Sequence, residues 1–183
     1  TNAFRIAWFK VHEPKAYYAA YFTIRADEFD SDIMCYGKEK VLNKMKEIDL
    51  AGNSATTKDK NMYAILELVL EMYERGIKFL PIDLYKSHAT KFLVEEDGIR
   101  PPLNSIPGLG TVAAQGIDDA KKDGKFMSID DMKIRSKIGK SVIELLDRVG
   151  CLKGMSQSNQ MSLFGWNKGD GAFVSNLKQE GHT

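Results

Sequence analysis

The feature that most constrains this chain is the run LNSIPGLGTVAAQGI, which spans residues 103–117. Its proline and two glycines predict a tight turn between a short helical turn ending at Ile106 and a helix beginning at Thr111. Glycine accepts positive φ and leaves backbone N–H groups uncovered. Because these N–H groups lie at the N-terminus of a helix, they favour an anion. The run therefore predicts a small phosphate cradle that needs no basic side chain.

The alternative for this run is a plain turn between packed helices, since the dipeptide Pro-Gly is common in turns. The neighbouring residues favour the cradle. An apolar residue precedes Pro107, Ala113 and Ala114 permit close helix approach, and Ile117 recurs at core spacing. Together they match the helix-hairpin-helix motif, which holds the DNA backbone without reading the base sequence.

A second tight connection, RSKIGKS at residues 135–141, repeats the pattern of two short helices around a turn. Lys137 and Lys140 lie at this connection, where they could meet the phosphates of the second DNA strand. Between Pro102 and Gly154 there are nine Lys and Arg residues against seven acids, which is a slight excess of +2. We expect weak, nonspecific and salt-sensitive DNA binding by this region alone. The alternative for each lysine is a solvated helix face.

The rest of the chain predicts a fold that is mainly α with a small β element, an α+β class. Apolar residues recur at helical spacing in most segments, whereas residues 77–102 contain the strand-like runs IDLYKS and TKFLVEEDGIRPP with a turn at EDG. The first predicted helix covers residues 2–11, the second begins at Pro14, and the third runs from an Asp30 cap through Ile48. The fourth begins at about Met62 and is stopped by Gly76. Three more follow: Thr111–Lys121, a helix capped by Ser128, and a last helix from Ser136 or Lys137 to Gly150.

Composition excludes several classes of protein. Lys and Arg total 26 against 25 acids, the two cysteines are far apart, and no apolar run is long enough for a membrane span. The Asp-Ser-Asp run at Asp30 has the spacing of a metal site, but acids are expected at a helix start. We find no catalytic centre and no metal ligand set. A protein of the cytoplasm with free thiols and no membrane partner is expected.

Three stretches of this sequence resemble bacterial replicative DNA polymerase III alpha subunits, most closely those of the PolC type. AFRIAWFKVHEPKAYYAAYFTIRADEFD, residues 3–30, resembles the fingers region. The stretch from residue 76 to residue 114 resembles the passage into the helix-hairpin-helix pair. QMSLF, residues 160–164, resembles the C-terminal peptide that holds the sliding clamp. The resemblance implies a DNA-directed DNA polymerase, a nucleotidyltransferase of the bacterial cytoplasm.

The resemblance also implies a division of the chain. Residues 1–76 would be the end of the fingers, 77–102 a β connection, 103–154 the duplex-binding domain and 155–164 the clamp-binding peptide. Residues 165–183 extend beyond the usual end of the family, and we expect them to be disordered. The palm, with its Mg²⁺-binding acids, and most of the fingers lie upstream in the family. We therefore expect no catalytic residue, no cofactor and no activity in this segment alone.

Site residues follow from the same resemblance. DNA-backbone contact is implied for Gly108, Leu109, Gly110, Thr111, Lys137 and Lys140. Clamp contact is implied for Gln160, Met161, Ser162, Leu163 and Phe164, with Met161 where the family usually has leucine. Methionine is flexible and of similar bulk, so little affinity is lost. Two alternatives stay open: a free-standing helix-hairpin-helix adaptor that binds the clamp, and a helical protein-interaction domain with no role on DNA.

Overall fold

The computed structural model of this 183-residue chain describes residues 1–158. Within that range the fold is mainly helical with one small β hairpin, which confirms the predicted α+β class. The helices α1 to α8, in chain order, are Asn2–His12, Pro14–Ile24, Ser31–Met34, Lys38–Ala51, Thr57–Glu74, Thr111–Lys121, Ile129–Ser136 and Lys140–Val149. The strands β1 and β2 are Leu93–Glu95 and Gly98–Arg100. None of the helices within residues 1–158 has the length and apolar character to cross a bilayer.

The predicted third helix is interrupted. Asp30 is its N-cap, as predicted, and its Oδ1 accepts a hydrogen bond from the backbone N–H of Asp32 at 2.9 Å. The prediction of one continuous helix through Ile48 is wrong, however, because the chain forms α3 and α4 instead. Gly37 separates the two with φ of +103°, a conformation that breaks the helix and that glycine adopts without strain.

Helix α5 is the longest element, and a reciprocal pair of hydrogen bonds caps its N-terminus. The Thr56 hydroxyl accepts a hydrogen bond from the N–H of Asp59, and the Asp59 carboxylate accepts one from the N–H of Thr56. Such capping boxes satisfy N–H groups that a helix start leaves open. The helix ends at Glu74, and Gly76 follows with φ of +77°, which confirms the predicted stop.

The β hairpin confirms the turn predicted at EDG. Strands β1 and β2 are antiparallel, with Leu93 opposite Arg100 and Glu95 opposite Gly98. The strand predicted for IDLYKS is wrong. There the Asp83 carboxylate accepts hydrogen bonds from the N–H groups of Tyr85 and Lys86, so the chain turns instead of extending.

Two hydrophobic clusters fill the fold. The first joins α2 to α5 with the β hairpin, and its aromatic centre packs Phe22, Phe29, Phe79 and Phe92 with ring centroids 4.7–6.3 Å apart. The second joins α6, α7 and α8, together with Leu84 and Ala89 from the segment before β1. Whether the boundaries drawn from the sequence delimit independent domains stays a prediction.

An ion pair forms a junction between the helices of the two clusters. Arg148 of α8 donates to the Asp32 carboxylate of α3 at 2.8 Å. Near this junction the two cysteines are free, and burial raises the pKa of the Cys151 thiol to about 11. A thiol with so high a pKa stays protonated and unreactive at neutral pH.

Candidate nucleic-acid interface

The first hairpin joins a helical turn at Leu103–Ser105 to α6. Gly108 has φ of +86°, as predicted, whereas Gly110 has φ of −71° and ψ of 160°, an extended conformation open to any residue. Leu109 lies in the core: its side chain is 3% exposed and its N–H donates to the Ile106 carbonyl at 3.0 Å. Leu109 therefore anchors the hairpin, and Gly108 and Gly110 form its exposed surface.

The start of α6 leaves backbone donors open. The first hydrogen bond of the helix runs from the N–H of Ala114 to the Gly110 carbonyl at 3.0 Å. Within residues 1–158, the N–H groups of Gly110, Thr111 and Val112 donate to no protein acceptor. Such groups carry the positive end of the helix dipole and suit an anion. The structure thus places the predicted residues Gly110 and Thr111 at an open helix start.

The second hairpin differs from the sequence prediction. The last helix begins at Lys140, not at Ser136 or Lys137, because Ser136 ends α7 and Lys137 adopts a left-handed conformation with φ of +57°. Ile138 is buried and fixes the turn, and Gly139 is the N-cap of α8. The hairpin therefore consists of Lys137, Ile138 and Gly139.

The three helix starts of this region fall into two kinds. At α8, as at α6, the first-turn N–H groups of Lys140, Ser141 and Val142 find no acceptor among residues 1–158. At α7 the first N–H groups are occupied: that of Asp131 donates to the Ser128 hydroxyl at 3.1 Å, and that of Ile129 donates to a carbonyl near the end of the described chain. The helix starts that remain open are thus those that follow the two hairpins.

The lysines of the second hairpin are exposed. Lys137 has no salt bridge within the described residues, and Lys140 lies 3.9 Å from Glu144 with 86% of its side chain exposed. Three other basic residues of the region have structural roles. Lys121 binds the Ser87 carbonyl, Arg135 binds the Ala120 carbonyl, and Arg148 pairs with an aspartate. Lys137 and Lys140 are therefore the basic residues best placed to meet a phosphate at the hairpins.

Close packing joins the two hairpins to neighbouring helices. A Cβ built on Gly108 would lie 3.4 Å from Leu145 Cδ1, so the first hairpin rests on α8. Leu145 lies five residues after Lys140, about 8 Å along the helix axis from the start of α8. A Cβ built on Gly116 would lie 2.5 Å from the Ser136 carbonyl oxygen, so α6 packs directly on the end of α7. Sequence reasoning missed Gly116, although a glycine inside a helix signals such an approach.

An acidic cleft of about 300 Å³ borders the first hairpin, and sequence reasoning missed this too. Asp27, Glu28 and Asp30 line it opposite the residues Ile106 to Thr111. Burial raises the pKa of the Asp30 carboxyl above its ordinary value, and the hydrogen bond from the backbone N–H of Asp32 opposes this rise. Lys58 also lines the cleft, so its charged side chains are three acids and one base.

The predicted clamp-binding residues, Gln160 to Phe164, lie outside the described residues, as does the extension from residue 165 to residue 183. Their roles stay predictions. The residues immediately before them are described, and Met155 packs on the second hydrophobic cluster.

Glycine hairpins, open helix starts and exposed lysines together form a helix-hairpin-helix arrangement, a type of motif that contacts a nucleic-acid backbone. The family model described as "Helix-hairpin-helix motif" matches residues 76–162. Over most of its length the chain is similar in sequence to a segment of DNA polymerase III of the PolC type.

The similarity to these polymerases is high over a short part of them. The chain is 54% identical to DNA polymerase III PolC-type of Clostridium perfringens over 163 residues, which are 89% of this chain and 11% of the relative. It is 53% identical to that of Caldanaerobacter subterraneus over 88% of this chain and 12% of the relative. Identity to the Bacillus subtilis protein is 49%, over 88% of this chain and 11% of the relative. The chain thus spans about a tenth of the length of the curated relatives it matches.

Proposed function

We propose that this chain is a duplex-binding segment of a bacterial replicative DNA polymerase that works in the cytoplasm. The observation that carries the proposal is the pair of glycine hairpins, each followed by an open helix start and joined by the contact between Gly108 and Leu145. The reaction of the parent protein would be template-directed nucleotidyl transfer. Similarity to PolC-type polymerases supports this assignment.

The hairpins would grip DNA through its phosphates. The N–H groups of Gly110 and Thr111 would donate to a phosphate of one strand, and those at the start of α8, with Lys137 and Lys140, would serve the other strand. Backbone donors do not distinguish bases, so binding would be independent of sequence. Charge neutralisation releases counterions, so affinity would fall steeply with salt.

Catalysis in this proposal belongs to other parts of the polymerase. Residues 1–158 contain no group of three or more Asp, Glu, His and Cys side chains that could hold a metal ion. The residues described do not fit the Mg²⁺ pair of a nucleotidyl transferase. We expect the chain alone to bind DNA without extending a primer.

The surface of α1 supports a partner on its outer side. Phe4, Ile6, Trp8, Phe9 and Val11 of this helix are 47–71% exposed. A helix that is apolar on all sides is normally buried. We propose that the upstream palm and fingers of the same polymerase cover it. This exposed surface favours a segment of a large enzyme over a free-standing adaptor, which would have to leave it in water.

A second proposed partner is the sliding clamp. Gln160 would form hydrogen bonds, and Met161, Leu163 and Phe164 would enter an apolar pocket of the clamp, with Ser162 between them. A few such anchors can dominate an interface. The support is the sequence QMSLF. A peptide of residues 156–166 should bind a bacterial sliding clamp, and the matched peptide with Leu163→Ala and Phe164→Ala should not. Equal binding by both peptides would remove this part of the proposal.

The duplex-binding proposal is tested with glycine variants that the fold tolerates. A Cβ at Gly110 or Gly139 meets nothing within 4 Å, and neither residue has positive φ. The double variant Gly110→Ala, Gly139→Ala should keep its melting temperature but lose duplex affinity at least severalfold, because the added methyl groups keep phosphates from the backbone. Fluorescence anisotropy with a labelled duplex at low salt measures this.

Matched charge variants provide a second test of duplex binding. Lys137→Gln with Lys140→Gln should weaken binding and reduce the slope of log affinity against log salt by about 2. The control is Lys46→Gln with Lys60→Gln, which removes the same charge from exposed positions on α4 and α5. Unchanged binding by both the glycine and the hairpin lysine variants would mean that the duplex contact lies outside the hairpins, and no duplex binding by the wild-type chain at low salt would favour a helical protein-interaction domain instead.

A further inference from the structure

The segment after α8 does not leave the fold where the sequence predicts. Loss of apolar periodicity after Gly154 predicts that residues 155–183 are mostly disordered, whereas Met155, Ser156 and Gln157 make ordered contacts with the fold. The Ser156 carbonyl accepts a hydrogen bond from the N–H of Ile129 at 2.9 Å, and the Gln157 carbonyl accepts one from the N–H of Asp130 at 3.1 Å. Met155 packs on the second cluster, and its N–H donates to the Leu152 carbonyl at 3.1 Å.

These contacts attach the segment to the helix that carries the second hairpin. Its two carbonyls occupy the first N–H groups of α7, whose other end is Ser136, next to Lys137. Helix α7 has eight residues, which is about 12 Å at 1.5 Å per residue. The segment after α8 is thus held at the N-terminus of α7, one short helix away from the second hairpin.

Little sequence separates this attachment from the proposed clamp-binding peptide. Ser158 and Asn159 alone lie between Gln157 and Gln160. Four residues from Gln157 to Met161 reach at most about 14 Å even when fully extended. A clamp bound to Met161 would therefore lie directly beside α7.

We propose that Met155–Gln157 is a fixed mount that sets the position of the sliding clamp relative to the second hairpin. This inference rests on the proposed clamp and duplex contacts. A short spacer from a fixed point gives a high effective concentration for a partner already on the same duplex, whereas a long free spacer gives a lower one. The mount would thus couple the two weak contacts.

Spacer length provides the first test, in the full chain. We insert eight Gly and Ser residues between Ser158 and Asn159, which leaves the mount, the hairpins and the peptide unchanged. Affinity for a clamp loaded on a duplex should fall about tenfold, since effective concentration falls with roughly the −3/2 power of spacer length and the spacer grows from two residues to ten. Affinity for the clamp without DNA should not change.

The mount itself is tested at Ile129. This residue is the first of α7, where proline is tolerated, and Ser128 before it is extended with φ of −158° and ψ of 172°. Ile129→Pro therefore removes the N–H that donates to the Ser156 carbonyl, while helix α7 is retained. The control is Ile129→Val, because valine has the same number of side-chain carbons as proline and retains the backbone N–H. Proline should weaken binding to the clamp-loaded duplex severalfold relative to valine.

These experiments distinguish a failure of the mount from a failure of the proposed clamp contact. If the wild-type chain does not bind the clamp without DNA, the clamp proposal fails and the mount fails with it. If it binds, but the insertion variant matches the wild type on the loaded duplex, the mount alone is overturned. Equal affinity of the proline and valine variants on the loaded duplex would overturn it as well.

Discussion

Gly116 of α6 faces the backbone carbonyl of Ser136 so closely that a Cβ at Gly116 would lie 2.5 Å from that oxygen. Alanine is intrinsically favoured over glycine in a helix by about 1 kcal/mol. Overpacking against backbone costs about 1–3 kcal/mol and cannot be relieved by a rotamer change. We therefore expect Gly116→Ala to destabilise the protein.

Chemical denaturation of the purified chain measures this effect. The control is Gly139→Ala, because that position has φ of −88° and no atom within 4 Å of an added Cβ. Gly116→Ala should lower the denaturation midpoint, and the control should leave it nearly unchanged. If Gly116→Ala raised the midpoint, the close approach of α6 to α7 would be contradicted.

Lys137 offers a way to separate stability from DNA affinity. Its φ of +57° is unfavourable for a residue with a Cβ and costs about 1–2 kcal/mol. Lys137→Gly should relieve this strain, offset in part by the entropy of the unfolded glycine, and stability should stay equal or rise slightly. DNA affinity should fall, since a charge is lost. Thermal melting and duplex titration should move in these opposite directions; a parallel loss of both would argue that Lys137 is needed for the fold alone.

Arg135 is expected to hold the end of α6 rather than bind DNA. Its guanidinium donates to the carbonyls of Ala120 at 2.7 Å and Gly124 at 3.0 Å and lies 4.7 Å from the centre of the Phe126 ring. Lysine cannot reproduce this planar set of donors. Arg135→Lys should cost about 1–3 kcal/mol of unfolding free energy, which is typical for hydrogen bonds to a charged group.

The same Arg135→Lys variant keeps its charge, so it distinguishes a structural role from a role on DNA. At a temperature where the variant remains folded, its duplex affinity should match that of the wild type, because the arginine fork serves the fold and not a phosphate. A loss of duplex affinity with unchanged stability would contradict the structural assignment.

The β hairpin should contribute to acid sensitivity through Glu95 and Arg100. Arg100 donates from Nη2 to Glu95 Oε1 at 2.9 Å and from Nε to Oε2 at 2.5 Å. These hydrogen bonds from Arg100 lower the pKa of the Glu95 carboxyl below its ordinary value of 4.5. A carboxyl with a depressed folded-state pKa stabilises the fold above the unfolded pKa, and that contribution is lost as pH falls through the folded value.

Urea denaturation between pH 7 and pH 3 tests this contribution. Glu95→Gln should reduce stability at pH 7, and the difference from the wild type should shrink below about pH 4.5, which is near the unfolded glutamate pKa. A difference that stayed constant across this range would show that the carboxylate charge has no part in the stability of the hairpin.

Local patterns predicted much of this structure because their causes are local. The Asp30 and Ser128 caps, the stop at Gly76 and the turn at EDG each depend on a few adjacent residues. The start of α8 could not be placed the same way. Its position depends on Ile138 being buried, which forces Lys137 into a conformation that propensity disfavours.

In the candidate site, too, local features could be predicted from the sequence and contacts between distant residues could not. The exposed glycines and lysines of the hairpins follow from composition and turn chemistry. The acidic cleft beside Gly108 and the occupied start of α7 arise from residues far apart in sequence, Asp27 with Gly110 and Ser156 with Ile129. No pattern within a single window contains these pairs, so they required the folded structure.

The distribution of contacts also has a consequence for how the chain folds. The second cluster is built largely from residues 103–152, whose contacts span short loops. The first requires Phe22 to meet Phe92, and the N–H of Phe92 donates to the Thr23 hydroxyl at 3.0 Å across 69 residues of chain. Closing that long loop costs entropy before any packing is gained. We therefore expect a kinetic order in which the hairpin pair forms early and the aromatic cluster closes last, so refolding rates should respond to substitutions in α6–α8 and unfolding rates to substitutions at Phe92.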